Sequence, residues 1–275
     1  MKKWILLTML TLMTAVLFAC GSNESNDTDE ESTSSDNSET SLYEQIQEKG
    51  VLTVGTEGTY PPFTFHNDDD ELTGYDVEVA REIGKRLDLE VKFNETKWDS
   101  MFAGLNSERF DMIANQVGIR PDREEKYDFS EPYTISTAVL VAKKGNENIN
   151  TFEDINGEPV AQSLTSNYAD IAKEYGGEIQ SVEGFNEAMQ LIGSGRVQAT
   201  INERLSVLDY INQKGDQAPV EIVDSQEDAA ESAMMFRKGN EDLVEAVNGA
   251  LNEMKEDGTL AEISNKWFGE DVSTQ

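Results

Sequence analysis

Residues 51–115 read VLTVGTEGTYPPFTFHNDDDELTGYDVEVAREIGKRLDLEVKFNETKWDSMFAGLNSERFDMIAN, and the spacing of their apolar side chains decides the fold class. Val51 to Gly55 is a short apolar run closed by glycine, the pattern of a strand. After a turn-rich segment, GYDVEVAREIGKRLDL sets Val77, Ala80, Ile83, Gly84 and Leu87 at helical spacing. EVKFN alternates Val91 and Phe93, WDSMFAGL puts Trp98, Met101, Phe102 and Leu105 on one helical face, and DMIAN is again a short buried-type strand. The order β-α-β-α-β predicts an α/β fold in which parallel neighbours of a sheet are covered by helices.

Working outward, the same rhythm restarts beyond about Thr134. Thr151 to Asp154 has the form of a capping box, EPVAQS reads as a strand, NYADIAKEY as a helix, and Phe185, Ala188, Met189 and Ile192 form another helical face. RVQATIN follows as a strand and RLSVLDYIN as a helix. TISTAVLVAKKG and SAMMFRKGN read as strands ending in basic, glycine-containing turns, and helices carrying Leu243, Val247, Leu251 and then Leu260, Ile263 and Trp267 close the chain. Two α/β lobes are expected.

At the N-terminus, Lys2 and Lys3 precede WILLTMLTLMTAVLFAC, an apolar run too short and too early for an ordinary transmembrane helix, which reads as an export signal over 1–19. It ends at Cys20, the only cysteine in the chain, so no intrachain disulfide is expected. Residues 21–41 carry seven acidic side chains, no basic one and no apolar one. Such a stretch buries too little surface to offset its ordering entropy and reads as an extended tether. The whole chain of 275 residues has 54 Asp and Glu against 22 Lys and Arg, a formal charge of −32. A nucleic-acid partner is excluded on that balance, because phosphate surfaces need bases in excess.

In open α/β sheets ligands sit beyond the carboxyl ends of the strands. That rule selects GTEGTYPPF, NQVGIRPDR, SLTSNY and NER, and hence Tyr60, Asn115, Gln116, Gly118, Arg123, Thr165, Ser166, Asn202 and Glu203, with Phe63 and Trp98 as aromatic neighbours. The set suits a zwitterion. A planar guanidinium holds a carboxylate through two parallel bonds, hydroxyls and N–H groups at a helix start assist it, an acid takes the ammonium, and aromatic faces clamp the rest. Each residue also has a plainer reading: Arg123 among Asp122, Glu124 and Glu125 as a surface ion pair, Arg120 as rim, Trp98 as core, Ser166 as an N-cap, Glu203 as an exposed helix-start acid, and Tyr60 to Phe63 as a rigid turn.

VGTEGTYPPFTF, GYDVEVAREIGKRL, WDSMFAGLNSERFDMIANQVGIRPDREEKYDFSEPY, LTSNY and GSGRVQATINE together resemble the polar amino acid substrate-binding proteins of ABC importers, from about Leu42 to Phe268. The resemblance implies a two-lobed, type II periplasmic-binding-protein-like fold with two hinge strands, lobe 1 being 42–134 plus 232–275 and lobe 2 being 135–231. It further implies that Arg123 grips the ligand α-carboxylate, that Tyr60 supplies the aromatic wall and Ser166 the helix-start hydroxyl, and that Glu203 binds the amine. Arg120 replaces the threonine of the family's T-x-x-R pattern, Gln198 a usual Asp, and Glu203 another. NETKWDSMFAGL, ANQVGI and SLTSNY are most similar to the cystine-binding branch of Gram-positive bacteria, although a glutamine- or histidine-type ligand would use the same clamp. LFAC resembles a bacterial lipoprotein cleavage box, with Phe18 in place of a smaller residue, which would make Cys20 the lipidated anchor at the outer face of the cell membrane. The implied partners are a small amino acid, an ABC permease and, through the lipid, the membrane; a monomer without cofactor is expected.

Other classes fare worse. Catalysis, as in a cyclohexadienyl dehydratase of this fold, would need a positioned general acid such as Glu203 or Asp76, and the single His66, in FHNDDDE, has no nucleophile to serve. NDDDELTG lacks the spacing of an EF-hand loop, and GSGR follows a helix, the wrong context for a phosphate-binding glycine loop. A ligand sensor would use the same closure as a delivery protein.

Overall fold

The computed structural model describes residues 40–274. The expected signal peptide, Cys20 and the acidic tether up to residue 39 lie outside the described residues. Along the chain run α1 (Leu42–Lys49), β1 (Val51–Thr56), β2 (Thr59–Tyr60), β3 (Thr64–His66), β4 (Leu72–Thr73), α2 (Tyr75–Arg86), β5 (Glu90–Glu95), α3 (Trp98–Asn106), β6 (Met112–Gly118), the short α4 (Pro121–Glu124), β7 (Tyr127–Phe129) and β8 (Thr134–Ser136). There follow β9 (Ala138–Lys143), β10 (Pro159–Gln162), α5 (Asn167–Glu174), β11 (Glu178–Ser181), α6 (Phe185–Gly193), β12 (Ala199–Glu203), α7 (Arg204–Lys214), β13 (Val220–Ser225), β14 (Ala230–Arg237), α8 (Glu241–Glu256) and α9 (Thr259–Phe268).

The first sheet has the order β5-β1-β6-β14-β7, with β8 also paired to β14. Its β5, β1 and β6 are parallel, and β14 returns antiparallel beside β6. Successive residues of β6 point to opposite faces. Met112 and Ala114 join Val79, Ala80 and Ile83 of α2, whereas Ile113 joins Trp98, Met101 and Leu105 of α3. Each large apolar side chain taken from water here contributes roughly 1.5–3 kcal/mol. Gly55 is required by this packing, since a Cβ on it would lie 2.5 Å from the Phe110 ring that wedges between α3 and the sheet. The second sheet runs β11-β10-β12-β9-β13, parallel on one side and antiparallel from β12 onward.

The segment expected as one strand, TISTAVLVAKKG, divides at Thr137: β8 stays with the first sheet, and β9 lies in the second. The chain returns from β13 to β14, and β8 pairs directly with β14 through Thr134 and Ser232, Ile135 and Glu231, and Ser136 and Ala230. Beyond β14, α8 and α9 bury Leu243, Val247, Leu251 and Leu260 against the first sheet's helices, in one cluster with Ile46 of α1 and Ile83. Thr151 opens a 3-10 turn, Phe152–Ile155, in which the Asp154 carboxylate accepts from the Thr151 N–H at 2.9 Å. Sequence reading missed α1, although Ser41 and Glu44 form a complete capping box at its start, and it missed β13, whose partly buried side chains alternate weakly.

Candidate functional site

The carboxyl ends of β1 and β6 face those of β10 and β12 across a narrow cavity of about 50 Å³. Its lining comes from both sheets: Glu57, Tyr60, Trp98, Asn115 and Gln116 on one side, and Gln162, Ser163, Ser166, Asn167, Tyr168, Val182, Phe185, Thr200 and Asn202 on the other. Glu57, Gly184 and Phe185 also border an adjoining groove of about 680 Å³.

Of the residues expected from sequence, Tyr60, Trp98, Asn115, Gln116, Ser166 and Asn202 line the cavity. Arg123, Gly118 and Thr165 lie one layer out. Arg123 is 5% exposed, and its guanidinium stands over the rings of Trp98 and Phe102 at 5.6 and 5.3 Å and donates to the carbonyls of Gly118 (2.9 Å) and Thr165 (3.3 Å). No carboxylate pairs with it among the described residues, so the surface-pair reading fails. Burial and the neighbouring Arg120 hold its pKa down to about 10. Ser166 does cap α5, accepting from the Ala169 N–H at 3.1 Å, while also lining the cavity.

Two expectations are corrected. Phe63 is fully buried in the core among Tyr60, Tyr75 and Phe268, away from the cavity wall. Glu203, expected to bind the ligand amine, does not line the cavity: it is buried, its two oxygens accept from the Ser136 hydroxyl and from the Ser206 N–H that opens α7, and burial pushes its pKa up. It caps a helix behind the wall. The acid on the wall is Glu57, which accepts from Asn115 Nδ2 at 2.7 Å and is pushed by burial to about 7. Glu57 lies in GTEGTYPPF, a loop the strand-end rule had selected, two residues past the glycine that closes the apolar run. Gln162, at the end of β10, carried the same signal. Phe185 gave none, because its spacing with Ala188 and Met189 reads as core.

Asp76, fully buried at the start of α2, accepts from both the backbone N–H and Nε2 of Gln116, at 2.9 and 2.6 Å. Burial pushes its pKa to about 7. Gln116 adopts φ 50°, unusual for a non-glycine residue inside a strand, and β6 is irregularly paired with β14 there.

The two sides meet directly around the cavity. Tyr60 Oη donates to Asn202 Oδ1 at 2.7 Å, Ser206 Oγ to the Pro61 carbonyl at 2.8 Å, and Asn186 Nδ2 to the Thr59 carbonyl at 3.1 Å. Asp99 of α3 accepts from the N–H and hydroxyl of Thr165 at 3.1 and 2.8 Å. Arg120 pairs with Asp170 of α5 at 2.8 Å, and Lys97 pairs with Glu183. Arg120 is thus a rim residue that bridges the lobes. These contacts define a closed arrangement, with an acid, amides and aromatic faces on one small space and the Arg123 guanidinium stacked on its Trp98 wall.

Residues 52–270 match the family model described as bacterial extracellular solute-binding proteins, family 3. The chain is 52% identical to the L-cystine-binding protein TcyA of Bacillus subtilis (strain 168), over 99% of this chain and all of that protein. Among solved structures, it is similar to an ABC uptake transporter substrate-binding protein from Streptococcus pneumoniae with bound histidine (28% identity, TM-score 0.78, covering 85% of this chain and 98% of that one). It is also similar to the L-cystine solute receptor of Neisseria gonorrhoeae in its unliganded open conformation (47% identity, TM-score 0.57, covering 86% and 99%). The lower TM-score at the higher identity fits the interlobe contacts above: this arrangement is the closed one.

Proposed function

We infer, given that this chain belongs to the bacterial extracellular solute-binding proteins, family 3, that it captures a polar amino acid between its lobes, L-cystine above others, and delivers it unchanged to an ABC importer. The observation that carries this is Arg123: a buried guanidinium, stacked on two aromatic rings beside the interlobe cavity, with no carboxylate of its own among the described residues. Two of its five donors serve carbonyls, which leaves a fork suited to a ligand carboxylate. The N–H groups at the Ser166 end of α5 assist, Trp98, Tyr60 and Phe185 supply apolar walls, and Asn115 and Asn202 bond the polar main body. The ammonium turns to Glu57 and Gln116, two residues of the cavity lining that carry acceptors. Cystine is preferred because TcyA binds it and because the groove beyond Glu57 gives room for the second half of a two-headed zwitterion.

The ligand favours closure because only the closed arrangement lets both lobes touch it, and closure is the form the permease reads. Lipid attachment at Cys20, supported by the LFAC box, would hold the protein at the outer face of the membrane. A thermal-shift screen of the common amino acids with L-cystine tests the reading. A ligand at a hundred times its Kd stabilises the native state by about 2.7 kcal/mol. A rise in Tm with cystine is expected, and no shift with any amino acid would discard the proposal.

A further inference from the structure

Resting on the reading that an amino acid occupies the cavity, we propose that Asp76 is a positioning residue that fixes the Gln116 side-chain amide so that its Oε1 faces the ligand as an acceptor for the ammonium group. Asp76 touches no part of the cavity. Its two oxygens take the Gln116 backbone N–H and Nε2, and the second hydrogen of Nε2 goes to Thr134 Oγ1 at 3.1 Å. Both amide hydrogens of Gln116 are therefore spent on the protein, and the orientation of the amide follows from the acceptors around it rather than from choice.

What remains is Oε1. It is buried and has no hydrogen-bond partner among the described residues, on a side chain that is 8% exposed and lies on the cavity wall. Buried acceptors are normally satisfied, so an orphan of this kind asks for a donor. The Tyr60 hydroxyl is spent on Asn202 and one Asn115 Nδ2 hydrogen on Glu57, and no protein donor reaches Gln116 Oε1 among the described residues. An ammonium group brings three donors, and Glu57 on the same wall gives it a charge to pair with. The left-handed backbone at Gln116 is the second cost of aiming this side chain, and the Asp76 bond to its N–H holds it.

The proposal separates a positioning role from a merely structural one by exchanging partners. In Asp76→Asn, Asn Oδ1 can still accept from the backbone N–H, but Nδ2 now points a donor at Gln116 and turns its amide over, presenting Nε2 to the ammonium. In Asp76→Asn with Gln116→Glu, Nδ2 donates to one Glu oxygen and the other faces the cavity. Calorimetric titration with L-cystine, on the full chain, should show affinity reduced by about tenfold or more in the single variant and recovered to within about threefold of wild type in the double. Far-ultraviolet circular dichroism and thermal unfolding verify that both variants fold. An Asp76→Asn variant that binds like wild type, or a double variant no better than the single, overturns the proposal, and if only the single variant fails to fold, a folded double variant that does not bind overturns it as well. Wild-type protein that binds no amino acid would instead sink the amino acid reading, and this inference with it.

Discussion

At the scale of single residues, the site rests on charges taken out of water. Arg123→Ala should weaken amino acid binding by roughly 2–5 kcal/mol, as expected for truncating one member of a buried charge pair. Arg123→Lys should fail as well, since an ammonium cannot reproduce the fork or the stack on Trp98 and Phe102; calorimetry of both variants is the check. Glu57 and Asp76 make a second prediction, because both carboxyls are raised by burial to about 7, from ordinary values of 4.5 and 3.8. Between those limits the folded protein holds more protons than the unfolded chain, so their contribution is complete below pH 4, falls as pH rises, and is lost through about 7. The unfolding free energy from urea titration should therefore drop from pH 5 to 8, by on the order of 3 kcal/mol per group, and Glu57→Gln should flatten the decline. At this scale the sequence was only half legible. Tyr60, Asn115, Gln116, Ser166 and Asn202 could be found because the strand-end rule is topological. Glu57 and Glu203 are both acids at strand ends, while Phe63 sits in a turn and Phe185 at helical spacing. Which of the two acids faces the cavity is decided by packing partners far away in sequence, Asn115 for Glu57 and Ser136 for Glu203, and no local pattern encodes them.

At the scale of elements, legibility was high wherever burial was two-sided or periodic. β1 and β6 read as apolar runs because helices cover both their faces, and α2, α3 and α6 read from one apolar stripe each. The break at Thr137 was invisible because β8 and β9 are both extended and only one residue apart, and only their pairing separates them. Elements also carry the closure. Asp99, in the first turn of α3, receives the N–H and hydroxyl of Thr165 just ahead of α5, so a helix of one lobe caps the loop of the other. Those bonds exist only when the lobes touch. Asp99→Ala should therefore raise the ligand dissociation rate about tenfold and leave the association rate nearly unchanged, because related interfaces differ mostly in how fast they part. Stopped-flow displacement measures both, and an equal loss in the two rates would remove Asp99 from the closure.

At the scale of the whole molecule, two lobes joined by two strands make ligand capture a change of shape. Small-angle scattering should show the radius of gyration falling when cystine is added, and Arg120→Ala, which breaks the bridge to Asp170, should shift the mixture toward the larger form. A radius unchanged by saturating ligand would mean that the lobes do not part in solution. The surface repulsion of a chain with charge −32 favours separation of the lobes and is screened by salt. The two connections do not act separately, however. β8 and β14 are hydrogen-bonded to each other, and the Ile135 N–H donates to the Val272 carbonyl at 2.7 Å, which ties the C-terminal tail to the same ribbon. A ribbon of paired strands bends across its plane far more readily than it shears within it. The two crossings to the second sheet, at Thr137 and at residues 226–229, leave that tied edge side by side, a geometry expected to favour one swing that brings Tyr60 to Asn202 and Asp99 to Thr165.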